Sequence, residues 1–176
     1  ALLKVAKNSK LVNCPKWEKD KKLVLVTVHR RESFGNPLIE ICEAVNEFAG
    51  RNKEVRIVIP VHKNPKVYKT VYSILGKNES ISLISPMEYE SFVCLMNSAY
   101  FILTDSGGIQ EETTVLGVPC ITLRKNTERP VTAEQGTNLL VSIDRQKVIK
   151  KAMEKINNKI NVKNKIPELW DGKAAE

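Results

Sequence analysis

The clearest order in this chain lies in where its apolar residues fall. Leu23-Val24-Leu25-Val26-Thr27-Val28 is a nearly unbroken apolar, β-branched run, the pattern of a strand covered on both faces. Residues 29–36 are polar and contain a glycine, which predicts a loop. Pro37 then opens a helix whose Leu38, Ile41, Cys42, Val45 and Phe48 share one stripe. Residues 55–61 read as a second strand, and Asn64-Pro65 leads into a helix that Gly76 ends. Residues 81–84 predict a third strand, and 88–99 a helix with Phe92, Leu95, Met96 and Ala99 inward. A fourth strand over 100–104 runs into Asp105-Ser106-Gly107-Gly108 and a short helix closed by Gly117. Residues 120–123 and, more weakly, 139–143 complete the strands. Asp144 caps a helix from 145 to about 157.

Strand and helix alternate about six times with short connections. That order predicts an α/β fold, a Rossmann-like parallel sheet with helices on both faces and right-handed crossovers. Residues 1–22 read as an incoming helix end and a linker, and 158–176 show little periodicity beyond Ile166, Leu169 and Trp170. The opening Ala1-Leu2-Leu3-Lys4-Val5-Ala6 has neither an initiator Met nor a signal-peptide pattern, so the chain reads as the middle of a longer protein.

Composition changes this picture little. The 176 residues suit one domain, and 42% hydrophobic with 27% charged residues is ordinary for a globular chain. No run of about 18 apolar residues occurs, so no membrane span is expected. The net charge of +8 raises nucleic acid as a partner. However, Lys147, Lys150, Lys151 and Lys155 interleave with Val148, Ile149, Ala152, Met153 and Ile156 at helical spacing, which makes them the wet face of a helix. No nucleic-acid motif accompanies them. Of the four cysteines, Cys14, Cys42, Cys94 and Cys120, none forms a CxxC pair. Cys42, Cys94 and Cys120 fall in apolar stripes, as small buried hydrophobes do, and this favours a reducing, cytoplasmic setting.

In a doubly wound sheet, ligands bind beyond the carboxyl ends of the strands, and the unusual residues cluster there. The two histidines, His29 and His62, each follow a predicted strand, and imidazole can donate to phosphate or exchange a proton. Asp105-Ser106-Gly107-Gly108-Ile109-Gln110-Glu111-Glu112 joins a strand to a helix start, where free N–H groups and the positive dipole end seat a phosphate. Glu111 and Glu112 are expected in the first helical turn, complementing the dipole or accepting from ribose hydroxyls. Arg30-Arg31-Glu32 and Thr127-Glu128-Arg129-Pro130 bring cations to the same end, unless they serve only in surface ion pairs such as Arg31 with Glu32. The first βα turn has no GxGxxG, and no Walker loop, metal-ligand cluster or nucleophile elbow occurs. No cofactor or metal is expected.

Taken together, His29-Arg30-Arg31-Glu32-Ser33-Phe34-Gly35, Pro60-Val61-His62-Lys63-Asn64-Pro65, Asp105 to Glu112 and Thr127 to Pro130 closely resemble the C-terminal domain of non-hydrolysing UDP-N-acetylglucosamine 2-epimerases. Trp170-Asp171-Gly172-Lys173-Ala174-Ala175 is similar to that family's closing segment, while Val131 departs from the Glu common after Arg-Pro. The resemblance implies the C-terminal half of a glycosyltransferase-B-type two-domain fold, with 23–176 as the UDP-binding domain and the N-terminal domain absent. It implies a cytoplasmic isomerase of cell-surface polysaccharide biosynthesis, a homodimer when full length, that interconverts UDP-N-acetylglucosamine and UDP-N-acetylmannosamine by eliminating and re-adding UDP. The isolated domain is then expected to be inactive. By matching position, Met87 and Phe92 flank the uracil, Ser106, Gly107 and Gly108 hold the diphosphate, and Glu112 takes the ribose hydroxyls. Arg129 and the catalytic His29 serve the phosphate–sugar region, and Arg30 and His62 an activator site. Phe92 also falls on the inward stripe of its helix. A UDP-sugar glycosyltransferase of the same architecture and a non-catalytic nucleotide-sugar sensor stay open as alternatives.

Overall fold

In the computed structural model, residues 2–7, 17–18, 20–157, 167 and 170 are described. Six strands, β1 (Lys22–Thr27), β2 (Val55–Pro60), β3 (Ile81–Ile84), β4 (Phe101–Thr104), β5 (Cys120–Leu123) and β6 (Asn138–Val141), form one sheet in the order β3-β2-β1-β4-β5-β6. All five pairings are parallel. Chain order therefore reverses between β1 and β4, where the connections leave the sheet in opposite directions and open a crevice at the strands' carboxyl ends.

Side-chain alternation along β1 explains the two helical layers. Val24 and Val26 join the core formed with α2 (Asn36–Arg51), α3 (Pro65–Leu75) and α7 (Arg145–Asn157), whereas Leu23 and Leu25 join the core on the other face. That second face is covered by α4 (Tyr89–Ser98) and α5 (Gly107–Leu116), with Leu2, Val5 and Ala6 of α1 (Leu2–Lys7) packed against it. Successive Cβ atoms of a strand point to opposite faces, so a continuous apolar run was the right signature for a sheet covered twice. At the centre, Phe48 of α2 meets Phe101 of β4 edge to face at 6.0 Å.

The predicted elements form, with strand ends shifted by up to two residues. The predicted Asp144 cap is in place, its Oδ1 accepting from Lys147 N–H at 2.9 Å. Two short pieces were not predicted: a 3-10 turn over Arg31–Ser33 and α6 (Pro130–Glu134). Neither is long enough to display a hydrophobic period. Gly117 takes the left-handed φ of 71° expected of a helix stop, but Gly76 ends α3 at a right-handed φ of −64°. Its backbone N–H bonds Tyr72 O, and a Cβ there would sit 2.5 Å from that oxygen, so close approach explains the glycine.

Cys42 and Cys120 are buried free thiols. Cys94 is equally buried but disulfide-bonded, which corrects its reading as a simple small hydrophobe and removes it as support for a reducing setting. Cys14, Ile166, Leu169 and the closing segment, Trp170 apart, lie outside the described residues. Among those that are described, no helix is long and apolar enough to cross a membrane.

Candidate ligand-binding site

The site is organised around a residue given no role of its own in the sequence reading. Asp105, at the carboxyl end of β4, is fully buried. Its Oδ2 accepts from the Arg30 N–H at 2.9 Å, the Ser33 hydroxyl at 2.7 Å and the His29 N–H at 3.2 Å. One carboxylate thus ties down the whole turn that follows β1, more than 70 residues away along the chain. A buried charge is tolerable only when so compensated. The strand ends beneath it are joined by the Thr27 and Thr104 hydroxyls, 2.7 Å apart. An acidic residue directly after a short buried strand was the available signal, and its partners could not be read without knowing that β1 and β4 are neighbours.

The same loop opens α5. Ser106 is its N-cap in extended conformation, and no side chain caps the first turn, so the leading N–H groups are left for a ligand. The helix begins at Gly107, earlier than predicted. Glu111 and Glu112 therefore lie beyond the first turn, which contains no acid, and their expected place beside the helix start is corrected. Glu111 instead reaches Arg129, its Oε1 lying 2.8 Å from Nε. That guanidinium sits directly over Gly107, where an added Cβ would come within 2.6 Å of Nη1. Glycine here makes room for a cation at the helix start.

A cleft of about 410 Å³ opens above the β1–β4 crevice. Ser106, Gly108 and Glu112 line one side, Met87 and Phe92 another, and both histidines a third. Phe92, predicted either to flank a base or to pack inward, is only partly buried and does both, meeting the core and lining the cleft. Tyr89, which the sequence reading passed over, donates to Glu112 Oε1 at 2.8 Å. Burial, then that carboxylate, pushes its phenol up to about 12. The rings of His29 and His62 lie 6.5 Å apart and 19° from parallel.

Gly107 and Arg129 stand behind the cleft's lining, at the helix start. Arg30 is separate again: it faces a neighbouring hollow of about 330 Å³ with Glu32, Arg124 and Lys125. Its guanidinium binds Glu32 at 3.0 Å, so the ion pair expected of Arg31 belongs to Arg30. Arg30 and His62, grouped in the sequence reading, therefore open onto adjacent hollows.

The sequence profile described as UDP-N-acetylglucosamine 2-epimerase matches residues 2–176. The chain is 50% identical over 137 residues to the UDP-N-acetylglucosamine 2-epimerase of Escherichia coli K12, an alignment covering 78% of this chain and 36% of that protein. With the Campylobacter jejuni protein of the same name the identity is 45% over 150 residues, 85% of this chain and 39% of the other. A crystal structure of UDP-GlcNAc 2-epimerase from Neisseria meningitidis bound to UDP-GlcNAc superposes with a TM-score of 0.86 at 34% identity, over 94% of this chain and 46% of that one. The Methanocaldococcus jannaschii UDP-GlcNAc 2-epimerase in complex with UDP-GlcNAc and UDP gives 0.75 at 35% identity, over 94% and 48%. The alignments to the two curated relatives thus span well under half of those proteins' length.

Proposed function

The chain belongs to the UDP-N-acetylglucosamine 2-epimerase family, and on that premise we propose that it is the UDP-binding half of an enzyme interconverting UDP-N-acetylglucosamine and UDP-N-acetylmannosamine. The observation that carries this is the single cleft at the β1–β4 crevice. It gathers two apolar side chains suited to a base, an uncapped helix start suited to phosphate, a carboxylate suited to ribose and two imidazoles. In this reading residues 23–176 are the nucleotide domain and 1–22 lead in from an N-terminal domain. The two domains enclose the UDP-sugar, and the full enzyme is a cytoplasmic homodimer.

Each residue's role follows its place. Met87 and Phe92 hold the uracil. Glu112, steadied by Tyr89, accepts from the ribose hydroxyls. The N–H groups of Gly107 and Gly108 and the Ser106 hydroxyl hold the diphosphate, with Arg129 behind them. The reaction breaks the C1–O bond to UDP as C2 loses its proton, leaving a glycal. UDP adds back after C2 is protonated on its other face. Donors fixed in advance stabilise charge as it develops on the leaving diphosphate, and the helix start with Arg129 supplies them. His29 is the acid–base group this half contributes; the remaining carboxylates belong to the N-terminal half. Arg30 and His62, on adjacent hollows, hold the diphosphate of an activating second UDP-sugar.

Calorimetry on this chain tests the core of the reading: UDP should bind and NAD should not, and preference for NAD would overturn it. In the full-length enzyme His29→Ala should slow turnover at least tenfold, corresponding to at least ~1.4 kcal/mol. There His62→Ala should abolish the dependence on added UDP-N-acetylglucosamine, and an unchanged dependence removes the activator role.

A further inference from the structure

We propose that the two histidines of the cleft are held as opposite neutral tautomers, His29 protonated at Nδ1 by virtue of Asp105 and His62 protonated at Nε2 by virtue of Asn64. In a neutral imidazole one nitrogen donates and the other accepts, and each is set by its partner. The His62 Nδ1 accepts from the Asn64 backbone N–H at 3.1 Å, so it carries a lone pair and the proton resides on Nε2. The His29 Nδ1 faces the opposite kind of group, lying 3.8 Å from Oδ1 of the buried Asp105.

The capacity of that carboxylate decides the matter. Its Oδ2 is crowded, with the Arg30 and His29 N–H groups and the Ser33 hydroxyl all donating to it. Among the described residues, Oδ1 receives only the shared His29 N–H at 3.3 Å. An ionised carboxylate has about four acceptor sites, so Oδ1 keeps room for one more donor, and a shift of about an ångström by the His29 ring would bring Nδ1–H within hydrogen-bond distance of it. A carboxylate offers nothing to a bare Nδ1, so the proton settles on that nitrogen. The Nε2 lone pair is then left for a ligand, on a ring that is 44% exposed and lines the cleft.

The two rings, 6.5 Å apart and nearly parallel, thus offer the cleft one acceptor and one donor. His29 then fits a hydroxyl of the reacting UDP-sugar, and His62 a phosphate oxygen of the activating one. The tautomers follow from Asp105 and Asn64 alone; that they serve a sugar rests on the cleft being a UDP-sugar site. Asp105 is in this sense a positioning residue, acting through His29.

The chain has only two histidines, so nitrogen-15 labelling of histidine gives two imidazoles, each assigned by replacing the other with alanine. Long-range proton–nitrogen spectra are recorded on the alkaline plateau, where the imidazole nitrogen shifts no longer change with pH. The expected patterns are Nδ1–H for His29 and Nε2–H for His62; Nε2–H at His29 or Nδ1–H at His62 overturns the proposal. Asp105→Asn, folded by its amide spectrum, should move His29 to Nε2–H, and retention of Nδ1–H would remove Asp105 from the account. Should that variant not fold, the wild-type spectrum decides alone. UDP binding with the wrong tautomers sinks this inference only; correct tautomers without UDP binding sink the reading of the cleft and leave the tautomers standing.

Discussion

Gly107→Ala is the sharpest perturbation of the helix-start site. The added methyl would meet Arg129 Nη1 at 2.6 Å and Cζ at 3.3 Å, against ordinary carbon–nitrogen contacts of roughly 3.5 Å and beyond. The guanidinium must therefore withdraw by about an ångström, against its 2.8 Å contact with Glu111. The backbone itself objects little, since Gly107 is the first helical residue and has no positive φ; alanine is the better helix former. Stability should change by less than about 1 kcal/mol. A charged hydrogen bond to phosphate is worth about 1.5–3 kcal/mol, so its loss should weaken UDP roughly 10- to 150-fold. The control is Gly108→Ala, whose methyl finds only Ser106 Oγ at 3.9 Å; it leaves Arg129 in place and acts only if phosphate approaches that backbone. Titration calorimetry with UDP, alongside thermal melts, measures both effects. Gly107→Ala binding UDP within twofold of wild type, with its fold intact, would refute the role given to Arg129.

Two further predictions concern stability. Burial pushes the Cys42 and Cys120 thiols from 9.0 up to about 12, so the unfolded chain loses these protons first. Their contribution is complete below pH 9 and is lost as pH rises toward 12; Tyr89, raised from 10.0 to about 12, acts in the same direction over its own interval. Denaturant midpoints should fall steeply across that range, and an aromatic disulfide reagent at pH 8 should label neither thiol without unfolding; rapid labelling at either cysteine would contradict the burial. Phe48→Ala, which removes a 1%-exposed ring packed on Phe101, should cost about 3–5 kcal/mol. Urea unfolding measures it, and a loss below about 1 kcal/mol would mean that the core closes around the gap.

Much of the architecture was legible because burial imposes a period. Val24 and Val26 had to face one helical layer and Leu23 and Leu25 the other, so the run itself announced a sheet covered on both sides. The helix stripes, the Asp144 cap and the left-handed Gly117 are local events whose causes lie within a few residues. The histidines and glycines that follow strand ends also come together at one edge of the sheet, as their places in the chain implied. What stayed hidden depended on which strands are neighbours. Asp105 holds the His29 turn only because β4 lies beside β1, a pairing that no spacing along the chain reveals. Glu111 read as a partner of its own helix dipole, yet folding brings Arg129 onto it from 18 positions away. Tyr89 of α4 and Glu112 of α5, 23 positions apart, meet for the same reason. Local periodicity reports how each segment divides between water and core. Pairing among polar groups that share a crevice is set by strand order, and strand order exists only once the sheet has formed.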